Sequence, residues 1–321
     1  MRRQQTPTLK PGEQYQVTQI VQPANKPSLW KSLGFFLIGL FVLMFILNYL
    51  LPAIGVGGCI GEIDVEGEIV TTAGYGAISS DEMLGFINQA ELRPDVKGIL
   101  IEINSPGGSA VASREIYLAL KEANKPVWAH IRETGASGGY FIALGADKIL
   151  ADPLAVTGSV GARATVYDMS SLLEKLGINT TVIKSGEMKD IGDIYRGMTD
   201  EEKSVLQGII SEIYKDFSDT VIKERSSNPR FSISVFNNIV ADARIVTGTK
   251  AYELGLVDDL GTKQYAIRAF GNETGLGDNP SICYFRSEPS FLSSIFSSMG
   301  RGIGEAMAKN INTEAAKMEY K

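Results

Sequence analysis

One serine lies in a run of small residues that would expose its hydroxyl. The stretch "ETGASGGYF", residues 133–141, places Ser137 after Gly135 and before Gly138 and Gly139. A serine set among glycines where a strand turns into a helix can present its oxygen to a ligand. Its hydroxyl becomes a useful nucleophile only when a base takes its proton. The stretch therefore indicates nucleophilic chemistry, and the base has to be found.

His130 is the only histidine and the first candidate for that base. It lies within "KPVWAHI", an apolar run that predicts a buried strand. Gly135-x-Ser137-x-Gly139 formally matches the nucleophile elbow of α/β-hydrolases, but that elbow requires a histidine after the serine. No histidine follows residue 130. We therefore interpret His130 as a hydrogen-bonded structural residue and expect a different base.

A lysine held neutral is the remaining common activator of a serine. Burial must lower the lysine pKa from about 10.4 to about 7–8 before the amine acts as a base at neutral pH. The stretch "VIKSGEMKDIGD", residues 182–193, offers Lys184 and Lys189. Glu187 and Asp190 count against Lys189, because a nearby carboxylate raises the pKa of a lysine. The residues alone leave the choice between the two lysines open.

Two further stretches suit a hydrolytic site. In "INSPGGSA", residues 103–110, a predicted strand runs through two glycines into a helix. Backbone N–H groups at such a helix start could hold an oxyanion, although a tight turn that needs positive φ explains the glycines equally well. "VTGSVGA", residues 156–162, could pair with an extended peptide, and an ordinary buried strand is the simpler interpretation.

A long apolar segment precedes these motifs. Leu33 to Leu51 is 19 residues without a charge, and at ~1.5 Å per residue it would cover the ~30 Å of a bilayer core. Residues 1–32 carry five Lys or Arg and one acid, and the first basic residue after the segment is Arg93. The positive-inside rule then predicts an uncleaved single-pass anchor in the inner membrane, with a cytoplasmic N-terminus and an extracytoplasmic domain. A cleaved signal peptide is disfavoured by the long leading segment.

Residues 1–32 predict a disordered cytoplasmic tail, since they lack hydrophobic periodicity. Residues 58–280 alternate strand and helix patterns and predict an α/β layered domain. One of its helices opens with the capping-box pattern Thr199-x-x-Glu202. Residues 281–321 predict a tail with an amphipathic segment that packs on the domain, a membrane or a partner.

Composition excludes several classes of protein. The formal net charge is −6 and the domain has no basic cluster, which argues against nucleic-acid binding. Cys59 and Cys283 are the only cysteines, and with one histidine they make neither a zinc site nor a disulfide framework. We expect no metal and no cofactor. A bridge between the two cysteines stays open.

Five motifs together resemble the signal peptide peptidase A family, in its short, single-domain bacterial form. They occur in the family's order, and the resemblance covers about residues 58–265. Any one of them alone would be weak, and their combination is specific. The motifs are "NSPGG" (104–108), "ASGGY" (136–140), "TGSVG" (157–161), "KSGEMKDIGD" (184–193) and "RIVTGTKAYELGLVDDLG" (244–261).

The resemblance implies a crotonase/ClpP-like fold of repeated ββα layers, preceded by one transmembrane helix, and a Ser/Lys dyad. Ser137 matches the nucleophile, Lys189 the general base, and Ser159 the serine that hydrogen-bonds the lysine. The backbone N–H groups of Gly108 and Gly138 match the oxyanion hole.

The resemblance also implies a homo-oligomer in which serine and lysine meet between neighbouring subunits. Lys184 then matches a bystander, and burial at the interface would desolvate the base. The expected function is a membrane-anchored serine endopeptidase that degrades hydrophobic peptides such as remnant signal peptides. A catalytically inactive, membrane-anchored peptide-binding scaffold of the same fold is the alternative. A Ser-His-Asp peptidase lacks its histidine here, and an acyl-CoA enzyme would lack its substrate outside the cell.

Overall fold

The computed structural model describes residues 29–46, 57–72 and 76–286, and the chain divides into two units. In the first unit, residues 1–51, helix α1 (Leu29–Phe45) has 17 residues with exposed apolar side chains, among them Phe35. None of the helices in the described ranges is long and apolar enough to cross a membrane. Residues 47–51 of the expected anchor, and most of both expected tails, lie outside the described residues.

The second unit is built on one sheet, to which nine strands of the described residues contribute. They are β1 (Cys59–Val70), β2 (Ala77–Ser79), β3 (Val96–Gly108), β4 (Val127–Ala136), β5 (Lys148–Ala151), β6 (Val156–Gly158), β7 (Ile245–Thr247), β8 (Asp259–Leu260) and β9 (Ser281–Phe285).

Helices connect these strands. They are α2 (Ser80–Leu92), α3 (Ala110–Lys121), α4 (Gly138–Ala143), α5 (Ser170–Lys175), α6 (Asp200–Arg225), α7 (Gly248–Glu253) and α8 (Lys263–Glu273), with a 3₁₀ turn at Glu187–Asp190 and short helical turns at Ile233–Val235 and Phe236–Val240.

The strand order is β2-β1-β3-β4-β5-β8, with every neighbouring pair for which a register is defined parallel. β9 also pairs with β1 in parallel, and β6 lies between β4 and the antiparallel β7. Parallel strands joined by helices give an α/β layered fold, as the sequence predicts. The finer ClpP-like assignment stays an expectation from the resemblance.

The two faces of the sheet are covered differently. One face packs against α2, α3 and α4 and holds the larger apolar cluster, which includes Ile101, Ile131 and Tyr140. The other face is covered at one end by α8, where Phe270 stacks on Trp128 with ring centroids 4.9 Å apart. β3 and β4 are therefore buried on both faces where they cross the apolar clusters, which accounts for their nearly continuous apolar runs.

Cys59 of β1 and Cys283 of β9 form a disulfide across this sheet. The parallel pairing of β9 with β1 brings the two residues together although 224 positions separate them. With Asp95 they also form the one group of three potential metal-ligating side chains found in the described ranges. Because the two sulfurs are bonded to each other, neither is a thiolate ligand, and we assign no metal there.

The segment from residue 162 to residue 199, here called the arm, departs from the prediction. The stretch "TTVIKSG", residues 180–186, predicts a strand, but the structure has no strand there and Ile183 is 96% exposed. Its apolar residues have no neighbouring strand to pair with in the described part of the chain. α6 continues from the arm, and the predicted capping box of Thr199 and Glu202 is confirmed at its start.

Candidate active site

Ser137 occupies the sharp turn where β4 ends and α4 begins. Its backbone has φ 52° and ψ −122°, a conformation that non-glycine residues seldom adopt and that costs roughly 1–3 kcal/mol. Its N–H donates to the Gly158 carbonyl at 2.9 Å, and its own carbonyl accepts from the Phe141 N–H at 2.9 Å. Ser137 is half-buried while Ala136 and Gly138 on either side are buried. The turn thus holds the serine at the surface of a rigid core.

The glycine loop after β3 lies directly against this turn. A Cβ on Gly107, whose φ is 101°, would stand 2.7 Å from the Gly138 nitrogen and 2.9 Å from the Ser137 Cβ. Only glycine allows the two backbone segments to approach so closely. The glycines of "INSPGGSA" therefore fit both the tight turn and the oxyanion site that the sequence suggests. Gly107 has a positive φ, and the loop brings backbone groups close to Ser137.

The two N–H groups expected for an oxyanion lie beside each other. Gly138 is the first residue of α4, where a backbone N–H has no acceptor within the helix. A Cβ on Gly138 would come within 3.3 Å of the Gly108 nitrogen and 2.3 Å of the Ser113 Oγ. The structure thus brings Gly108, Gly138 and Ser137 together at one point.

Ser159 directly follows Gly158, whose carbonyl accepts the hydrogen bond from the Ser137 N–H. In the pairing of β6 with β4, Ala136 is opposite Gly158, so Ser137 and Ser159 leave adjacent strands at the same level. Ser159 also has a positive φ, 54°, and its N–H donates to the Arg244 carbonyl at 2.9 Å. The two serines expected in the site are therefore neighbours.

Both edges of β6 are occupied, by β4 and by β7. Thr157 is fully buried and donates its hydroxyl to the Gly135 carbonyl at 2.7 Å. For residues 156–158 the hypothesis of peptide addition is therefore wrong, and the simpler interpretation as a strand within the sheet holds. Residues 159–162 of the same stretch form no strand, and for them peptide addition stays a prediction.

Lys189 lies elsewhere in the chain, on the 3₁₀ turn of the arm. It is exposed, and its backbone N–H donates to the Gly186 carbonyl at 3.1 Å. Within the described residues, no hydrogen bond or ion pair joins its side chain to Ser137 or Ser159. Within one chain, Ser137, Ser159, Gly108 and Gly138 therefore lie together, whereas the Lys189 side chain contacts neither serine through a hydrogen bond or an ion pair in the described residues.

Lys184 is held by other groups. Its Nζ donates to Asp190 Oδ1 at 2.9 Å and to the Glu187 carbonyl at 2.8 Å. The hydrogen bond to Asp190 raises the pKa of Lys184. A lysine with a raised pKa is protonated at neutral pH and is a poor general base.

His130 is a structural residue, as interpreted from its strand. It is 1% exposed, with Nδ1 2.9 Å from Glu102 Oε2 and Nε2 3.0 Å from the Gly261 carbonyl. Both ring nitrogens are engaged, and α4 and Ser137 are not among their partners. Arg196 links Asp190 to Glu202, and no motif in the sequence indicates this role.

Comparisons with known proteins agree with these observations. Residues 119–276 match the sequence profile described as Peptidase family S49. A provisionally named protease of Methanocaldococcus jannaschii is 33% identical over 228 residues, which are 70% of this chain and 72% of that protein. A provisionally named signal peptide peptidase SppA of Enterococcus faecium is 36% identical over 202 residues, which are 62% of this chain and 57% of that protein.

Among solved structures, a mutant of the 1510-N membrane-bound stomatin-specific protease aligns with a TM-score of 0.48 and 16% identity, over 73% of this chain and 100% of that one. The sequence matches decide the assignment. They show that this chain belongs to peptidase family S49, a family of serine peptidases.

Proposed function

We propose that the chain is an endopeptidase in which Ser137 is the nucleophile and Lys189 the general base. The observation that carries the proposal is the Ser137 turn, strained at φ 52° and in contact with the Gly107–Gly108 backbone. Strained backbone at a half-buried serine is typical of a site where geometry matters for chemistry.

In the proposed reaction, neutral Lys189 takes the proton of the Ser137 hydroxyl as its Oγ bonds to the peptide carbonyl carbon. The N–H groups of Gly108 and Gly138 hold the oxyanion, each contributing about 3–4 kcal/mol in comparable sites. The intermediate collapses, the C–N bond breaks, and the leaving amine takes the proton from the Lys189 ammonium. Lys189 then takes a proton from a water molecule, whose oxygen bonds to the acyl carbon. The bond from that carbon to the Ser137 Oγ breaks, and the Lys189 ammonium returns the proton to Ser137. Ser159 is proposed to orient the lysine.

We further propose that Lys189 reaches Ser137 from a neighbouring copy of the chain in a homo-oligomer. Lys189 is exposed on the arm, which also exposes large apolar side chains such as Tyr167, Leu176 and Ile183. Exposed apolar surface of this kind is typical of a protein–protein contact. Burial in that contact would supply the desolvation that a neutral lysine needs.

The proposed substrates are hydrophobic peptides at a membrane, including remnant signal peptides. The relative in Enterococcus faecium carries a signal peptide peptidase name, which supports this substrate class. We propose an anchor at residues 33–51, with the N-terminus cytoplasmic and the catalytic unit extracytoplasmic. The Cys59–Cys283 disulfide supports an oxidising compartment.

Hydrolysis of a hydrophobic fluorogenic peptide by the detergent-solubilised full-length chain tests the proposal. We expect Ser137→Ala and Lys189→Ala each to lower kcat by at least about a thousandfold, since a dyad acts as a unit. Lys97→Ala, at the opposite end of β3 from Gly108 and outside the arm, is the matched control and should leave kcat unchanged. Activity retained in Lys189→Ala would rule out Lys189 as the general base. An inactive wild-type protein would favour the peptide-binding scaffold.

A further inference from the structure

A chain of ion pairs holds the turn that carries Lys189. Asp190, the next residue, has a side chain only 6% exposed. Its carboxylate accepts from Lys184 Nζ at 2.9 Å and from Arg196, whose Nε and Nη2 lie 2.9 and 2.7 Å away. Hydrogen bonds from Arg196 and Lys184 hold the pKa of Asp190 well below its usual range. The carboxylate closest to Lys189 in the sequence is thus ionised at neutral pH and engaged by two cations.

Arg196 connects this turn to α6. Its Nη1 donates to Glu202 Oε2 at 2.8 Å, and its Nη2 also contacts the Glu202 carboxylate. Glu202 Oε2 accepts the Thr199 N–H at 2.8 Å, which closes the capping box. The Glu202 side chain is 3% exposed, and the hydrogen bonds from Arg196 lower its pKa to about 2. The Arg196 side chain therefore links the turn to the start of α6.

We call Lys184, Asp190, Arg196, Glu202 and Thr199 the base-turn network. Its two cations and two carboxylates balance, so the network has no net charge. An uncompensated Asp190 would favour the ammonium form of the adjacent Lys189, because consecutive Cα atoms are only ~3.8 Å apart. The network thus answers the objection that a neighbouring carboxylate would keep Lys189 protonated.

We propose that the base-turn network positions Lys189 and cancels the charge of Asp190 beside it, which makes Arg196 and Lys184 positioning residues for the general base. The inference rests on the proposed Ser/Lys function and deepens it, since Lys184 changes from a bystander to a working part of the site. Glu187 lies 3.6 Å from Lys184 but is 96% exposed, so solvent screens its charge. The other charged groups of the arm are Arg163, Asp168, Glu174, Lys175 and Asp193.

Two substitutions of Arg196 separate charge from shape. Arg196→Gln removes a positive charge and leaves two carboxylates with one cation. We expect the acidic limb of the kcat/KM profile to move ~0.5–1 unit to higher pH, because the ammonium form of Lys189 is then favoured. Arg196→Lys keeps the charge but loses the planar bidentate fork. We expect it to lower kcat while the acidic limb stays in place.

A second readout does not depend on peptidase activity. Competitive acylation of the full-length protein across a pH series, read by mass spectrometry, gives the apparent pKa of each lysine amine. We expect the value for Lys189 to rise in Arg196→Gln and in Lys184→Gln, and the value for Lys97, at the start of β3 and outside the arm, to stay constant as an internal reference. Lys184→Gln carries the test if Arg196→Gln does not fold, as judged by circular dichroism.

Lys189 titrating as in the wild type in the folded charge-loss variants would overturn the inference. So would an equal shift of the acidic limb in Arg196→Lys and Arg196→Gln, because charge would then not be the cause. Labelling shifts in the variants together with a wild-type protein that hydrolyses no peptide would instead overturn the proposed function and leave the electrostatic role of the network standing.

Discussion

At the scale of single residues, the site depends on two positions that leave no room for a Cβ. Gly107 and Gly138 approach each other so closely that a Cβ on either would meet backbone or the Ser113 Oγ at less than 3 Å. Tyr140, three residues after Ser137 in α4, is fully buried and donates its hydroxyl to the Leu256 carbonyl at 2.8 Å, which fixes the helix that follows the strained turn. Backbone strain of this size persists only where packing over-determines it.

Gly138→Ala tests this dependence. The new Cβ would stand 2.3 Å from Ser113 Oγ, so the start of α4 must move and carry its N–H away from the oxyanion position. We expect kcat for peptide hydrolysis to fall about 10²–10³-fold, the cost of losing one oxyanion donor. Gly85→Ala is the matched control, since Gly85 lies within α2 with open space around its Cβ position. It should leave kcat unchanged and raise the free energy of unfolding by about 0.5–1 kcal/mol.

At the scale of elements, the sheet face that α8 partly covers also holds buried carboxyl groups, which lie beyond the apolar cluster under that helix. Glu62 of β1 and Glu102 of β3 are at most 4% exposed. Lys263 at the start of α8 donates to Glu62 Oε1 at 2.8 Å, and His130 binds Glu102. Glu62 Oε2 and Glu102 Oε1 have no hydrogen-bond partner among the described residues. Burial raises the pKa of Glu62, and also that of Asp64 on the same face.

These raised pKa values predict how stability depends on pH. A carboxyl whose pKa is higher in the folded state binds protons more tightly there, so the folded state gains stability as pH falls. The free energy of unfolding should therefore decrease as pH rises from the unfolded pKa of about 4 through the higher folded values. In urea titrations across this window, Glu62→Gln should flatten the slope. Glu68→Gln, at an exposed position of β1, should retain it. Equal slopes in both variants would contradict the prediction.

The sequence predicts the local features of these elements well and their distant pairings poorly. Hydrophobic periodicity predicts the alternation of strands and helices, and the Thr199-x-x-Glu202 pattern predicts the capping box. Both succeed because the interacting residues are close in the chain. The disulfide depends on β9 reaching β1 from the far end of the domain, and no local pattern indicates it. The strand predicted at residues 180–186 fails because alternation says nothing about whether a neighbouring strand exists. Ser137 as a candidate nucleophile follows from glycine spacing, whereas the roles of Ser159, Gly108 and Gly138 and the choice of Lys189 needed the family resemblance.

At the scale of the whole molecule, the proposed site is divided between a packed core and an exposed arm. Ser137, Ser159 and the two glycines proposed to hold the oxyanion lie at the ends of strands or directly after them in the packed core. Lys189 lies on the arm, which the base-turn network stiffens within itself and ties to α6. An arm that is ordered internally, exposed and rich in apolar side chains is suited to contact a second copy of the chain. A base supplied this way would make activity depend on assembly.

Mixing two inactive variants tests whether the base comes from a neighbour. Full-length Ser137→Ala and Lys189→Ala proteins, with different tags and expressed in the same cells, would form mixed oligomers. If each site takes its serine from one copy and its lysine from the next, about a quarter of the sites in a random equal mixture contain both residues. We expect peptide hydrolysis to recover to about that fraction of the wild-type rate in oligomers purified through both tags. Ser137→Ala mixed with the Ser137→Ala/Lys189→Ala double variant is the control and should stay inactive, because no serine is present. Mixed oligomers without recovered hydrolysis would mean that Ser137 and Lys189 act within one chain, and the arm would then have to fold back onto its own core.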